Sequence, residues 1–175
     1  LEISKEERAA YGAEIGFIGS YAPERGDDVL FLAKAGFEVR VWGNGWEAFN
    51  GSHPNLAIER QALVNTSSDL RYTKGIATTR INLGFLRKAN RDLQTDRSVE
   101  IPACGGFMLA EHSDEHARLF KDGSEAVFYR NRDELGEKAR YYLDHETERQ
   151  AIAAAGHQRV SSSGYTHDEK LKFML

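Results

Sequence analysis

The sequence has almost no cysteine and no long apolar segment. Its 175 residues include one cysteine, Cys104. A single thiol excludes an internal disulfide framework and is typical of a chain kept in a reducing compartment, so we expect a cytoplasmic protein. No apolar run approaches the roughly 18 residues that a membrane span needs, and we therefore expect no transmembrane segment.

Charge of one sign is not concentrated anywhere in the chain. There are 23 Lys and Arg residues against 27 Asp and Glu, which gives a net charge of -4. This balance disfavours a nucleic-acid or membrane-surface binder. The first ten residues, LEISKEERAA, are charged and helix-like rather than typical of a signal peptide. Because the chain starts at Leu1 within this pattern, we expect residues 1–13 to be the end of a preceding helix or an interdomain linker, cut from a longer polypeptide.

Short apolar runs alternate with helical patterns along the rest of the chain. Strands are predicted at 14–19, 37–43, 56–60, 81–86, 106–110 and 125–130. Helices are predicted at 25–36, 67–80 with Ser67 or Ser68 as the cap, 96–105, 133–145, 146–160 and 165–175. Strands separated by helices of this length favour βαβ units, so the fold class is α/β with a mostly parallel sheet.

In such sheets ligands bind in the loops after the carboxyl ends of the strands. The candidate loops follow Gly19, Trp42, Leu86 and Ala110. The second of them holds GNGWEA, residues 43–48, which matches a dinucleotide-binding fingerprint with Ala in the last position. The fingerprint should open a good helix, but NGSHPN arrives almost at once. A glycine-rich turn is therefore the favoured interpretation, and a dinucleotide-binding domain is the alternative.

The loop after the first strand offers a phosphate site. Gly19 lets the backbone approach a ligand closely, or simply makes a turn. Arg25 stands at the start of the next helix, where free N–H groups and the positive end of the helix dipole suit an anion. The alternative is a surface arginine beside Glu24.

The most highly charged loop lies within KANRDLQTDRSVEIPACGGFML, residues 88–109. Asp92 and Glu100 are eight positions apart and bracket a predicted helix start near Thr95. An anion would bind the free N–H groups there, with Arg97 neutralising it, while each carboxylate accepts hydrogen bonds from sugar hydroxyls. The spacing suits a nucleotide diphosphate sugar. Acids favoured by the helix dipole, with Arg97 paired to one of them, explain the same residues equally well.

Two further features are interpreted as structural. HSDEH, residues 112–116, has two histidines four apart but no third ligand nearby in sequence, so it predicts a helix start rather than a metal site. Cys104 is followed by two glycines and is expected to be a small core residue rather than a nucleophile.

Several blocks occur in the order of a known family. They are GFIGSYAPERG, FEVRVWG, LGFLRKANRDLQTDRSVEIPACGGFMLAE, LFKDGSEAVFY and ELGEKARYYLDHETERQAIAAAGHQRV. They resemble the carboxyl-terminal domain of group-1 glycosyltransferases, in the branch of the spore-maturation CgeB-like proteins. The resemblance implies a Rossmann-like domain over residues 14–175, with helices on both faces of a mostly parallel sheet. It would be the carboxyl-terminal half of a two-domain glycosyltransferase-B architecture, with the acceptor domain absent from this chain.

The resemblance implies a donor-binding domain for a nucleotide diphosphate sugar, from which a hexosyl group moves to an acceptor hydroxyl on a glycan, protein or small molecule. The isolated domain is expected to be inactive because half of the cleft is absent. We expect no metal and no other cofactor, since cationic side chains would stabilise the diphosphate. The alternative within this fold is a noncatalytic module that binds a glycan or a partner.

The family match also assigns roles to residues. Asp92 would position the transferred sugar, and Glu100 would hold the ribose. The implied donor-binding residues are Gly19, Ser20, Arg25, Asn90, Thr95, Arg97 and Glu100. Two positions depart from the wider family: Asp92 stands where Glu is usual, and Ser20 stands where a basic residue is common. Arg97 would then have to compensate at the diphosphate.

Overall fold

The computed structural model describes residues 2–163. Its strands are β1 (Ile15–Ile18), β2 (Val39–Trp42), β3 (Leu56–Glu59), β4 (Ile81–Gly84), β5 (Met108–Glu111) and β6 (Val127–Tyr129). Its α-helices are α1 (Lys5–Tyr11), α2 (Pro23–Lys34), α3 (Arg71–Thr78), α4 (Asp96–Ala103), α5 (Asp114–Leu119), α6 (Arg132–Asp144) and α7 (Glu146–Ser162). The helix predicted at 165–175 lies outside the described residues. No helix within residues 2–163 combines the length and the apolar character needed to cross a membrane.

The six strands form one parallel sheet in the order β3-β2-β1-β4-β5-β6. The chain builds outward from β1 to β3, then crosses back to place β4 on the other side of β1. The strand order therefore reverses between β1 and β4, and ligands bind at this reversal, outside the carboxyl ends of the strands. The predicted α/β, Rossmann-like parallel sheet is confirmed.

Apolar side chains cover both faces of the sheet, because successive residues of a buried parallel strand point to opposite sides. On one face Leu83 of β4 belongs to a core completed by Leu32 of α2 and Leu135 of α6. On the other, Phe128 of β6 belongs to a core completed by Ile101 of α4. Helices thus lie on both faces, as predicted.

Helix α3 begins later than the sequence pattern indicates. It starts at Arg71, so the predicted cap at Ser67 or Ser68 was wrong. Those two serines lie in a turn that Thr66 closes, with its Oγ1 accepting from the Asp69 N–H at 3.0 Å. The helix N-terminus is satisfied from further away, because Asn65 Oδ1 accepts from the N–H of Thr73 at 3.2 Å.

Helix α1 begins at Lys5. Ser4 caps it, and the Glu7 carboxylate accepts a hydrogen bond from the Ser4 N–H at 2.9 Å. The Glu7 carboxylate also lies 2.5 Å from Nζ of Lys74 on α3. The first helix is therefore docked onto the domain by a polar contact, close to the amino ends of the strands and away from the switch point.

Candidate functional site

The turn after β1 approaches its neighbours too closely for any side chain at Gly19. Its N–H donates to the Trp42 carbonyl at 2.8 Å, and its own carbonyl accepts from Nε1 of Trp46 at 2.8 Å. A Cβ at this position would lie 2.7 Å from Cζ of Phe17 and 3.3 Å from Cζ of Arg97. Glycine therefore lets the strand end, the aromatic ring and the guanidinium pack together.

The glycine-rich segment 43–48 supports this turn from behind. Gly43 and Gly45 have φ values of 149° and 84°. The carbonyl of Asn44 accepts from the Tyr21 N–H at 2.8 Å, and a short 3₁₀ helix, Glu47–Phe49, follows in place of the long helix that a dinucleotide site requires. The prediction of a structural glycine-rich turn is confirmed.

Arg25, at the start of α2, is buried with 2% of its surface exposed. Its guanidinium donates to the Ser20 carbonyl at 3.0 Å and to the Phe85 carbonyl at 3.5 Å. The neighbouring Glu24 instead accepts from the Lys88 N–H at 3.1 Å. The interpretation of Arg25 as a surface arginine beside Glu24 was wrong, because the side chain is buried at the carboxyl ends of the strands and binds backbone carbonyls.

Three arginines converge on this edge. The guanidinium carbons of Arg25 and Arg97 lie 5.5 and 5.6 Å from the centre of the Phe17 ring, and the Nε of each is buried without a hydrogen-bond partner in the described chain. Arg87 follows the buried run that ends β4. Burial and then the charges of Arg97 and Arg87 lower the pKa of Arg25. Within residues 2–163 none of the three has a carboxylate within ion-pair distance.

The start of α4 lies against the same cluster. Thr95 is the residue before the helix, as predicted, and its N–H donates to Oγ of Ser98 at 3.0 Å. The N–H groups of Asp96 and Arg97, in the first helical turn, have no acceptor among the described residues. The helix ends at Ala103, two residues before the predicted end at 105. Two free backbone donors and the Arg97 guanidinium therefore occupy one helix end, which suits an anion.

Asp92 closes the loop between β4 and α4. Its Oδ2 accepts from the Arg87 N–H at 3.2 Å, and its own N–H donates back to the Arg87 carbonyl at 3.2 Å. The intervening Asn90 is exposed, and Arg91 adopts a left-handed conformation with φ 54°. One carboxylate oxygen of Asp92 thus has a structural partner that the sequence did not indicate, and the other has no hydrogen bond in the described chain.

Glu100 lies one turn after Arg97 on α4, and its side chain is exposed. Its Oε2 accepts from the Tyr72 hydroxyl at 2.5 Å. Burial, and then the bond to Glu100, raise the pKa of Tyr72, so the phenol stays protonated and donates. The contact joins α3 to α4 and leaves Oε1 of Glu100 without a partner in residues 2–163.

The structure brings Gly19, Arg25 and Arg97 together, and places Thr95 beside them. The side chains of Ser20 and Asn90 are exposed at the same edge of the sheet and make no hydrogen bond within the described residues. Sequence reasoning missed Arg87 and Tyr72. The sequence did contain a signal for Arg87. It is the first charged residue after the apolar run 81–86, which places it at the carboxyl end of a central strand. Nothing in the local pattern indicated the contact made by Tyr72.

The remaining sequence features have structural roles. No group of three His, Cys, Asp or Glu side chains within residues 2–163 is arranged to hold a metal ion. The segment HSDEH starts α5, as predicted, with Ser113 accepting from the His116 N–H at 3.0 Å. Cys104 follows α4 and is half-buried, and burial raises the pKa of its thiol, which fits a packing role.

Comparison with known proteins places the fold among glycosyltransferases. The carboxyl-terminal domain of the group 1 glycosyl transferase LpcC from Francisella tularensis superposes with a TM-score of 0.66 at 12% identity, covering 93% of each chain. HepE from Anabaena in complex with UDP-glucose gives 0.68 at 11% identity, covering 91% of this chain and 49% of HepE. Sucrose-phosphate synthase from Thermosynechococcus elongatus gives 0.73 at 12% identity, covering 98% of this chain and 47% of that enzyme. No curated protein sequence matches the chain.

The chain thus spans about half the length of HepE and of sucrose-phosphate synthase. A family model described as glycosyl transferase-like matches residues 28–175. The match includes Arg87, Asp92, Arg97 and Glu100, whereas the turn with Gly19 and Arg25 precedes it and is placed by the structure. Since the family model covers most of the sequence, the chain belongs to this family of glycosyl transferase-like proteins.

Proposed function

We propose that the chain is the donor-binding domain of a glycosyltransferase that moves a sugar from a nucleotide diphosphate sugar to an acceptor hydroxyl. The observation that carries the proposal is the convergence of Arg25, Arg87 and Arg97 at the strand switch point, with no carboxylate of the described chain within ion-pair distance of any of them. Burying a positive charge is costly unless an anion accompanies it. A diphosphate supplies that anion.

The leaving diphosphate would lie across the β1 turn and the start of α4. The N–H groups of Asp96 and Arg97 and the helix dipole offer directed donors, and the Arg97 guanidinium adds a bidentate cation. Negative charge on the diphosphate grows as the bond to the sugar breaks, so these fixed donors bind the transition state more tightly than the ground state. Cationic side chains in this arrangement would neutralise the diphosphate, as a metal ion does in other enzymes. We therefore propose no metal or other cofactor.

The two acids would bind the ends of the donor. The free Oε1 of Glu100 would accept from a ribose hydroxyl, while Tyr72 holds the other oxygen. The free oxygen of Asp92 would orient the transferred sugar. The exposed Ser20 and Asn90 side chains, together with Thr95, would complete the wall around the donor.

The chain spans about half the length of HepE and of sucrose-phosphate synthase, so the proposal concerns one domain of a longer protein. A donor site of this kind forms one wall of a cleft, and a second domain in a longer protein would bind the acceptor and complete it. The block RSVEIPACGGFML supports placement in the CgeB-like branch. The single cysteine supports a cytoplasmic location, where nucleotide sugars are made.

Glu100 provides the direct test of donor binding. We expect UDP, GDP or another nucleoside diphosphate to bind at millimolar concentration or below, measured by calorimetry or ligand-observed NMR. Glu100→Ala should weaken that affinity by about tenfold, the value of a charge-assisted hydrogen bond. The same variant should bind inorganic pyrophosphate, which has no ribose, with unchanged affinity.

Tyr72→Phe is the matched control for Glu100, because it removes the phenol hydroxyl that occupies Oε2 and keeps the ring on α3. Nucleoside diphosphates should bind this variant as well as the unsubstituted chain, or better. The proposal fails if no nucleoside diphosphate binds at millimolar concentration, or if Glu100→Ala leaves nucleotide affinity unchanged.

Asp92 separates an active transferase from a noncatalytic module of the same fold. The module deserves a test because Oδ2 of Asp92 already accepts from the Arg87 N–H. Asp92→Asn keeps an oxygen for that backbone bond but removes the charge. In the longer protein we expect turnover of a radiolabelled donor to fall about 100-fold with little change in donor affinity, as for an interaction made mainly in the transition state.

The contrary outcomes for Asp92 are also distinct. No transfer by the unsubstituted longer protein, with water offered as well as other acceptors, would favour the binding module. An equal loss of affinity for donor and for free nucleotide in Asp92→Asn would contradict a role at the sugar.

A further inference from the structure

The first turn of α5 contacts both ends of the loop that enters α4. The Ser113 hydroxyl donates to the Leu93 carbonyl in a short hydrogen bond. The His116 ring is fully buried, stacks on Phe128 with centroids 5.5 Å apart, and places Nε2 at 2.7 Å from Oγ of Ser98. Two side chains of the HSDEH segment therefore hold a loop that belongs to the proposed anion site.

The hydrogen-bond partners of His116 determine which ring nitrogen carries the proton. Nδ1 lies 2.7 Å from the Glu111 carbonyl, which only accepts, so Nδ1 must be protonated. Ser98 Oγ already accepts from the Thr95 N–H at 3.0 Å. Its own proton has no other acceptor in the described chain, so it donates to an unprotonated Nε2. The result is a directed series: the Thr95 N–H donates to Ser98, Ser98 to His116, and His116 to Glu111.

We propose that Ser113 and His116 are positioning residues that hold the Leu93–Ser98 segment, and with it the N–H groups that face the diphosphate, in the binding geometry. This inference rests on the proposed function and assigns the histidine motif a role in it. Neither side chain contacts the donor. They act through the backbone of the loop and through Ser98, on the first turn of α4.

Within residues 2–163 no carboxylate lies within ion-pair distance of the His116 ring. Glu111 presents its backbone carbonyl to the ring. On α5, Glu115 is paired with Arg118. The α4 face presents the Ser98 hydroxyl, and β6 presents the Phe128 ring. The Glu111 carbonyl favours the charged ring, but burial among these groups outweighs it and favours the neutral imidazole.

Protonation of His116 would break the series at its centre. Nε2 would become a donor facing Ser98, and the Ser98 proton would lose its acceptor. Burial, and to a smaller extent the nearby His112, lower the pKa of His116 below its usual 6.5. The neutral ring therefore contributes its full stability above pH 6.5, and that contribution is lost as the pH falls through the lowered pKa, because the unfolded chain takes up a proton first.

The test replaces Ser98 by alanine, which removes one buried oxygen and leaves the imidazole in place. We expect the affinity for inorganic pyrophosphate and for UDP to fall about tenfold, since two buried groups lose their partner and the first turn of α4 is released. His157→Gln is the matched control. His157 lies on α7, and its Nδ1 is 3.1 Å from the Pro102 carbonyl, which is at the other end of α4 from Ser98. It should change both affinities less than about twofold.

A second measurement reports on His116 without requiring binding. Side-chain ¹⁵N NMR of the unsubstituted chain at neutral pH should show a neutral His116 ring that is protonated at Nδ1. In His116→Gln the amide can reach Ser98 but not Glu111 as well, so pyrophosphate affinity should lie between those of the unsubstituted chain and Ser98→Ala.

The outcomes distinguish this inference from the proposed function. If the unsubstituted chain binds neither pyrophosphate nor any nucleotide, the anion site is rejected and its positioning residues with it. If the chain binds and Ser98→Ala binds equally well, only the positioning role is rejected. A His116 ring protonated at Nε2, or charged at neutral pH, would also overturn the hydrogen-bond series.

Discussion

Arg25→Met is expected to abolish most diphosphate binding while leaving the fold almost as stable as before. Methionine fills a similar space above Phe17 but has no charge. Affinity for pyrophosphate and for nucleoside diphosphates should fall about 30- to 100-fold, or roughly 2–3 kcal/mol, the usual loss when one partner of a buried charge interaction is removed. Calorimetric titration of the folded variant measures it.

The free energy of unfolding should respond differently, because burial and the charges of Arg97 and Arg87 disfavour the charged Arg25 more than Glu24 and Asp92 favour it. Removing it relieves repulsion from Arg87 and Arg97 and the penalty of burying a guanidinium, and these gains offset the lost bonds to two carbonyls. We expect the free energy of unfolding in urea to change by less than about 1 kcal/mol. A residue that is nearly neutral for folding and essential for binding is the expected result for a functional charge.

Arg149→Met supplies the matched control. Arg149 is also buried, at 5% exposure, but it donates to the Tyr142 carbonyl at 3.3 Å and pairs with Glu146 at 3.4 Å, far along the chain from the anion site. Its loss should reduce stability by about 1 kcal/mol and leave pyrophosphate affinity unchanged. If Arg25→Met and Arg149→Met destabilise the chain equally and neither affects binding, the arginine cluster is structural.

The sheet could be predicted from the sequence because the relevant signals are local. Each strand is a short apolar run, and each run is followed by a helical pattern, so parallel order and ligand placement at the carboxyl ends follow from general rules. Gly19 and Thr95 were identified in the same way, from a turn residue after a strand and a capping residue before a helix. These positions depend on neighbours within a few residues.

The contacts that complete the site depend on residues far apart in sequence. The burial of Arg25 requires Phe17 on another element and the Phe85 carbonyl 60 positions away. The bond from Tyr72 to Glu100 joins two helices that no local pattern pairs. The same limit explains the start of α3, since Asn65 reaches the helix across the turn in which Ser67 and Ser68 lie. Periodicity identifies an element, but not the polar partners that tertiary packing brings to it.

Gly43→Ala should cause the largest loss of stability of any single methyl group added near the site. The new Cβ would lie 2.1 Å from the Gly19 carbonyl oxygen and 2.6 Å from its carbon, at a φ of 149° that side chains rarely adopt. Both obstacles are backbone atoms, so no side-chain rotation relieves the clash. We expect the free energy of unfolding to fall by about 3–5 kcal/mol, measured by urea denaturation with circular dichroism.

Gly51→Ala separates the backbone strain from the clash. Gly51 has a φ of 76° and no atom within 4 Å of a Cβ placed on it, so its substitution should reduce stability by about 1 kcal/mol through conformation alone. An equal effect of the two substitutions would show that the segment at Gly43 can move away from the Gly19 carbonyl without cost. If instead the Gly43 variant alone is severely destabilised, the glycine segment is required for the close packing of the two strand ends, because the Gly19 carbonyl must stay within reach of the Trp46 indole. That requirement explains a fingerprint-like run of glycines in a loop whose partner is the adjacent strand turn rather than a dinucleotide.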